Sequence, residues 1–165
     1  MRKYSVYVDQ SGKVENLSSH TGIAYSDESG KDFSNAVFID KNHKKRLKDK
    51  AKNNLGNISE YRVKLFGAGI FMFIQNDIHR LREVRVDQEY EGKLAQIKHH
   101  LWNFLNNNTD FSSRNYPELK TCILENEINN PSCDSLAYKA MNRDLEDFLK
   151  SDYKFLKALI LRTNN

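Results

Sequence analysis

The chain has 165 residues, 39% of them hydrophobic and 29% charged, which excludes a disordered or fibrous polypeptide and predicts a single domain over residues 1–165 with its own core. A formal net charge of +4 favours polyanions through counterion release, so nucleic acid is the expected partner class. The two cysteines, Cys122 and Cys133, form no CxxC pair and exclude a zinc-ribbon or dithiol motif.

Tyr4 to Val8 is rich in β-branched and aromatic residues and runs into the turn sequence Asp9-Gln10-Ser11-Gly12, which predicts a first strand. Thr21–Tyr25 and Asn35–Ile39 read as two more short strands separated by turn residues, and an antiparallel meander is the economical arrangement. Lys41 to Asn54 is strongly basic. Leu47 and Ala51 stand four apart, so it allows a short solvated helix or a phosphate-contacting edge built from Lys44, Lys45, Arg46 and Lys48.

A helix capped by Asn57 or Ser59 is expected next. Val63, Phe66, Ile70, Phe71 and Ile74 recur at helical spacing, against the opposing propensity of Gly67 and Gly69. The apolar run Val63 to Ile74 contains Lys64 and falls short of the ~20 residues of a membrane span, so no membrane association is expected. Met1-Arg2-Lys3-Tyr4 lacks the apolar run of a signal peptide, and together with the unpaired thiols this predicts a cytoplasmic location.

Leu81–Asp87 alternates apolar and polar residues and predicts a strand ending on an aspartate. Leu94, Ile97, Leu101, Phe104 and Leu105 form a helical stripe. Leu119–Leu124 reads as a further strand, and Ser132 as the N-cap of a helix with the stripe Cys133, Leu136, Ala137, Ala140, Met141, Leu145 and Phe148. Lys154–Leu161 suits either a terminal helix or an added strand. Meandering strands followed by a βαβα run imply an α/β fold, with a mixed sheet of about five strands and helices on both faces.

Val8-Asp9-Gln10-Ser11-Gly12, Val86-Asp87 and Ser132-Cys133-Asp134-Ser135-Leu136-Ala137, in this element order, resemble the ribonuclease H-like superfamily over about residues 3 to 149. The resemblance implies Asp9, Glu60, Asp87 and Asp134 as one acidic cluster. Asp9, Asp87 and Asp134 would be metal ligands and Glu60 an assisting carboxylate. It also implies a Mg²⁺- or Mn²⁺-dependent nuclease acting on phosphodiester bonds of RNA or DNA. The chemistry has an independent rationale, because Mg²⁺ takes one or two carboxylates plus substrate phosphate, and close carboxylates repel one another without a cation.

Each acid also has a plainer role. An aspartate after a strand bonds its own backbone in a turn, and an acid in a helix's first turn is favoured by the macrodipole. A non-catalytic nucleic-acid or protein binding module on the same fold is therefore the alternative. Glu89, Glu91, Glu125 and Glu127 lie close enough in sequence to replace a named ligand. His99 and His100 are adjacent, point about 100° apart on a helix and are expected at the surface; His20 follows the first turn and could serve as a general acid. Tyr90 and Trp102 are candidates for stacking on bases, with Trp102 at least partly buried.

Overall fold

The computed structural model describes residues 4–55, 58–88, 92–110, 116–127, 132–145 and 148–161. Three β-rich segments broken by turns form the expected meander: β1 (Tyr4–Ser11) pairs antiparallel with β2 (Thr21–Asp27), and β2 with β3 (Ser34–Ile39). On the other side of β1 the chain adds β4 (Leu81–Asp87) and then β5 (Glu118–Cys122), both parallel to β1. The sheet order is β5-β4-β1-β2-β3-β6. It has six strands rather than about five, because β6 (Leu149–Lys150) joins the outer edge of β3 in parallel. Two residues are too few to carry a period-two signal, so that strand is invisible to pattern reading.

Side chains alternate along β1. Val6 and Val8 enter the main core, whereas Tyr7 packs in a separate cluster with Cys122, Leu124 and Cys133. The main core lies under α2 (Ile58–Ile74) and α3 (Leu94–Asn108), with α1 (Lys41–Leu55) and α6 (Tyr153–Leu161) packed around them. The opposite face of β1, β2 and β3 carries α5 (Ser132–Asn142).

Glycines set both helix–sheet distances. A Cβ on Gly69 of α2 would collide with the Ile23 Cδ1 atom, and one on Gly22 of β2 with the Ala137 carbonyl of α5. Small residues continue the second contact, where Ala24 and Ala36 of the sheet meet Ala137 and Ala140. Gly69, which weakens α2 by propensity, is thus required by packing, whereas a Cβ on Gly67 would meet only ordinary contacts at 3.7 Å and beyond.

Three sequence boundaries move. β1 continues through Asp9 and Gln10 to Ser11, paired with β2, where the sequence predicts a turn from Asp9. The segment expected as a strand to Leu124 ends at Cys122, and Leu124 opens the single-turn helix α4 (Leu124–Glu127). The α5 stripe stops at Asn142, because Arg143 adopts φ 63° and ends the helix with Asp144 N–H donating to the Lys139 carbonyl at 2.8 Å. Leu145 and Phe148 lie beyond the helix, yet both still pack on its alanine cluster. Of the two alternatives for Lys154–Leu161 the helix is found, as α6, while the added strand β6 lies just before it at Leu149–Lys150. The basic segment is a 15-residue helix whose Leu47 and Ala51 are buried, so only part of it is a solvated face.

Candidate functional site

Strand pairing fixes the relation between the first two predicted acids. Val8 of β1 is the partner of Val86 of β4, and Asp9 and Asp87 are the next residue on each strand. Because β1 and β4 run parallel, both acids lie toward the carboxyl ends of their strands, where open α/β sheets bind ligands. Asp9 shares the parity of Tyr7 and so faces the α5 side. It is 8% exposed, and its Oδ1 accepts the Gln10 N–H at 2.7 Å. Asp87 pairs with Cys122 of β5, and its Oδ1 accepts the Leu124 N–H at 3.2 Å. That bond orients the Asp87 carboxylate and fixes the start of α4.

The third acid arrives from α5. Cys133 is fully buried beside Asp9; burial first, and the negative charge of Asp9 second, push its thiol up to about 12. The thiol is therefore inert at neutral pH, and its placement brings the first turn of α5 against Asp9. Asp134, the next residue, is exposed.

Glu60 stands apart from these three. It lies in the first turn of α2, in the helix layer on the other face of the sheet, and acts electrostatically on Lys64 one turn further along. Among the described residues no group of three or more His, Cys, Asp or Glu side chains is close enough to hold a metal ion. Asp9 and Asp87 remain as two hard oxygen donors carried on adjacent strands, and neighbouring strands lie about 4.8 Å apart. Two carboxylates completed by substrate phosphate and water suit Mg²⁺ or Mn²⁺. Glu89, Tyr90 and Glu91 lie outside the described residues, as do the side chains of Glu125 and Glu127.

Sequence reasoning missed a row of charges on the same face as Asp87. Glu83, Arg85 and Asp87 alternate with the core valines Val84 and Val86 along β4. Arg85 pairs with Glu83 and donates to the Tyr7 hydroxyl at 3.4 Å, and Lys120 of β5 reaches Glu83 at 3.4 Å. Burial raises the Glu83 pKa, but hydrogen bonds and charge from Arg85 and Lys120 outweigh it and leave the carboxyl below its ordinary range. The signal is present as period two within Leu81–Asp87, whose polar half holds Glu83 and Arg85 as well as Asp87.

At the rim beyond these strands Gln88, Thr121, Cys122, Ile123 and Asn126 line an open groove of about 260 Å³. Its members flank Asp87 directly: Gln88 follows it in sequence, and Cys122 is its strand partner.

The predicted phosphate contacts divide. Lys44 is 0% exposed, and its Nζ donates to the carbonyls of Lys13 (3.2 Å) and Asn16 (2.6 Å) and to Thr21 Oγ1 (2.8 Å). Thr21 Oγ1 in turn donates to the Gly12 carbonyl. Lys44 is therefore the anchor of the loop between β1 and β2, not a phosphate contact, and burial lowers its pKa to about 8. Lys45 and Arg46 are exposed and Lys48 is half-buried; the Arg46 guanidinium lies 3.9 Å over the Tyr153 ring. These three stand on the α1–α2 side of the molecule, across the sheet from the Asp9 face.

The histidines also separate. The Lys41 N–H donates to His20 Nδ1 at 3.2 Å, so that nitrogen is an acceptor, and Asp40 Oδ2 lies 3.5 Å from it. Burial depresses the His20 pKa despite Asp40, which agrees with a neutral ring packed on Phe38. His99 bonds Asn103 at the surface, as expected. His100 is instead 7% exposed, stacked beside Phe104 and facing Lys64; burial and then the Lys64 charge lower its pKa to about 4. Trp102 is half-buried, with Lys98 Nζ 4.2 Å from its ring centre. No helix among the described residues is long and apolar enough to cross a membrane. No protein-family model, curated protein or solved structure matches this chain.

Proposed function

We propose that the chain is a ribonuclease H-like domain that cleaves phosphodiester bonds of RNA or DNA with Mg²⁺ or Mn²⁺. The observation that carries this reading is the emergence of Asp9 and Asp87 side by side from neighbouring parallel strands, with the first turn of α5 packed against Asp9. The fold assignment is supported by a three-strand meander extended on the far side of β1 by two parallel strands, with a late helix on one face. Asp9 and Asp87 would hold the ion, and Asp134 would join from α5. The Gln10 and Leu124 N–H groups fix the orientation of the two strand carboxylates. A bound divalent ion supplies Lewis-acid activation of water and charge neutralisation at the phosphate. Arg85 and Lys120 provide positive charge on the Asp87 face, and Lys45, Arg46 and Lys48 provide it on the far side.

The test is cleavage of end-labelled RNA, DNA and hybrid strands with Mg²⁺ or Mn²⁺. Metal-dependent cleavage that Asp9→Asn abolishes supports the reading; undiminished cleavage by Asp9→Asn removes Asp9 from the mechanism. A second reading, a non-catalytic nucleic-acid or protein binding module, is favoured by the backbone N–H bonds that already occupy the Asp9 and Asp87 carboxylates. Retained RNA binding by a protein with no Mn²⁺ affinity would select it.

A further inference from the structure

We infer that the groove beside Asp87 receives a single unpaired nucleobase, so that the substrate strand is single-stranded at the reaction site; this rests on the nuclease reading above. Its position supplies the first argument. Gln88, Thr121, Cys122, Ile123 and Asn126 surround the carboxyl ends of β4 and β5, one residue from Asp87, at the edge of the sheet. A phosphate held at Asp87 would therefore place the adjoining nucleotide over this rim.

The lining supplies the second argument. None of the groove residues is cationic, so the groove is unsuited to a phosphate. Two primary amides and a hydroxyl offer both donors and acceptors, as the edge of a base requires, and Gln and Asn pair bidentately with base edges. Ile123 is 48% exposed, one of two large apolar side chains so exposed among the described residues, and presents a surface to a ring face. The volume of about 260 Å³ is below the roughly 300–1,000 Å³ of sites that enclose drug-sized ligands, which suits one ring system rather than a stacked pair. A base paired within a duplex cannot turn its edge into such a rim, whereas an unpaired base can be splayed out and read.

The experiment uses the full chain with Asp9 and Asp87 intact and Ca²⁺ in place of Mn²⁺, an ion that also takes carboxylate and phosphate oxygens, with electrophoresis after each measurement to check that the strands are uncut. Fluorescence anisotropy compares short labelled RNA and DNA strands, unpaired and annealed to their complements. The expected result is tighter binding of unpaired strands. Combining Gln88→Ala with Asn126→Ala should weaken that binding about tenfold, the loss of one good base contact, without changing affinity for the duplex. Ile123→Asp should act in the same direction. All three positions are exposed, so an unchanged melting temperature checks that the variants are folded. Equal affinity for paired and unpaired strands, or indifference to the groove substitutions, overturns the inference. If the unsubstituted chain still cleaves in that case, the nuclease reading survives. A chain that neither binds nor cleaves any strand overturns both.

Discussion

Asp9 and Asp87 each follow one member of the pair Val8 and Val86, which joins two parallel neighbouring strands. The valines face the main core, and the acids take the opposite parity, so burial of the hydrophobic pair forces the two carboxylates onto the α5 face. The positions of these acids are thus set by the core as much as by the site.

Lys44 should hold the loop that follows Asp9. Lys44→Met leaves the Lys13 and Asn16 carbonyls without their ammonium donor and should destabilise the fold by about 2–3 kcal/mol, read by urea denaturation. The pH dependence has a definite sign. The folded-state pKa of about 8 lies below the unfolded value, so between about pH 8 and 10 the unfolded chain binds more protons at this residue. Stability from Lys44 therefore rises with pH in that window, by on the order of 1–3 kcal/mol. Glu15 and Asp40 oppose the shift, while burial dominates it. Lys44→Met should lack this alkaline gain; an identical slope in both proteins would refute the assignment.

His100 predicts an acid-side effect. Its folded-state pKa of about 4 lies below the ordinary 6.5, so the unfolded chain takes up a proton first as pH falls. Stability should decline between about pH 6.5 and 4 by on the order of 3 kcal/mol. His100→Leu should flatten that decline in melting-temperature profiles.

The two close-packed glycines should respond unequally to alanine. In Gly69→Ala the new methyl meets a side-chain end, and helix propensity returns about 1 kcal/mol against an overpacking cost of about 1–3 kcal/mol. In Gly22→Ala it meets the backbone of α5 at Ala137 and Met141, and the loss should reach about 3 kcal/mol. Chemical denaturation of both variants gives the ordering, with Gly22→Ala the less stable.

Arg143 ends α5 in the left-handed region, while its guanidinium lies 3.3 Å from Asp40 and 4.6 Å over the Phe38 ring. Arg143→Ala loses these contacts and keeps the backbone cost. Arg143→Gly loses the contacts and relieves it, so the glycine variant should be the more stable of the two by about 1 kcal/mol. Thermal melts of the pair check this.

Much of the fold was legible because its signals are local. The alternation of Leu81–Asp87 delimits β4 as found, and the stripe from Leu94 to Leu105 marks α3. Lys44 was misread because a charge run is judged by composition, whereas its burial depends on carbonyls 28 and 31 residues away in the chain. His100 failed for the same reason, since its neighbour Lys64 comes from another helix. At the site, Asp87 is legible as a strand end, whereas Asp9, expected to open a turn, lies inside β1 because pairing with β2 carries the strand on to Ser11. The groove could not, because it forms only when β5 stops at Cys122 and the chain turns into α4 under the Asp87 cap.

The most direct test of the proposed metal centre is a calorimetric titration of Mn²⁺ into the unsubstituted chain and into Asp9→Asn and Asp87→Asn. The account predicts saturable binding in the first and its loss in both variants, with an upward melting-temperature shift in Mn²⁺ confined to the unsubstituted protein. Binding that persists undiminished in both variants, or no binding in any of the three, would contradict it.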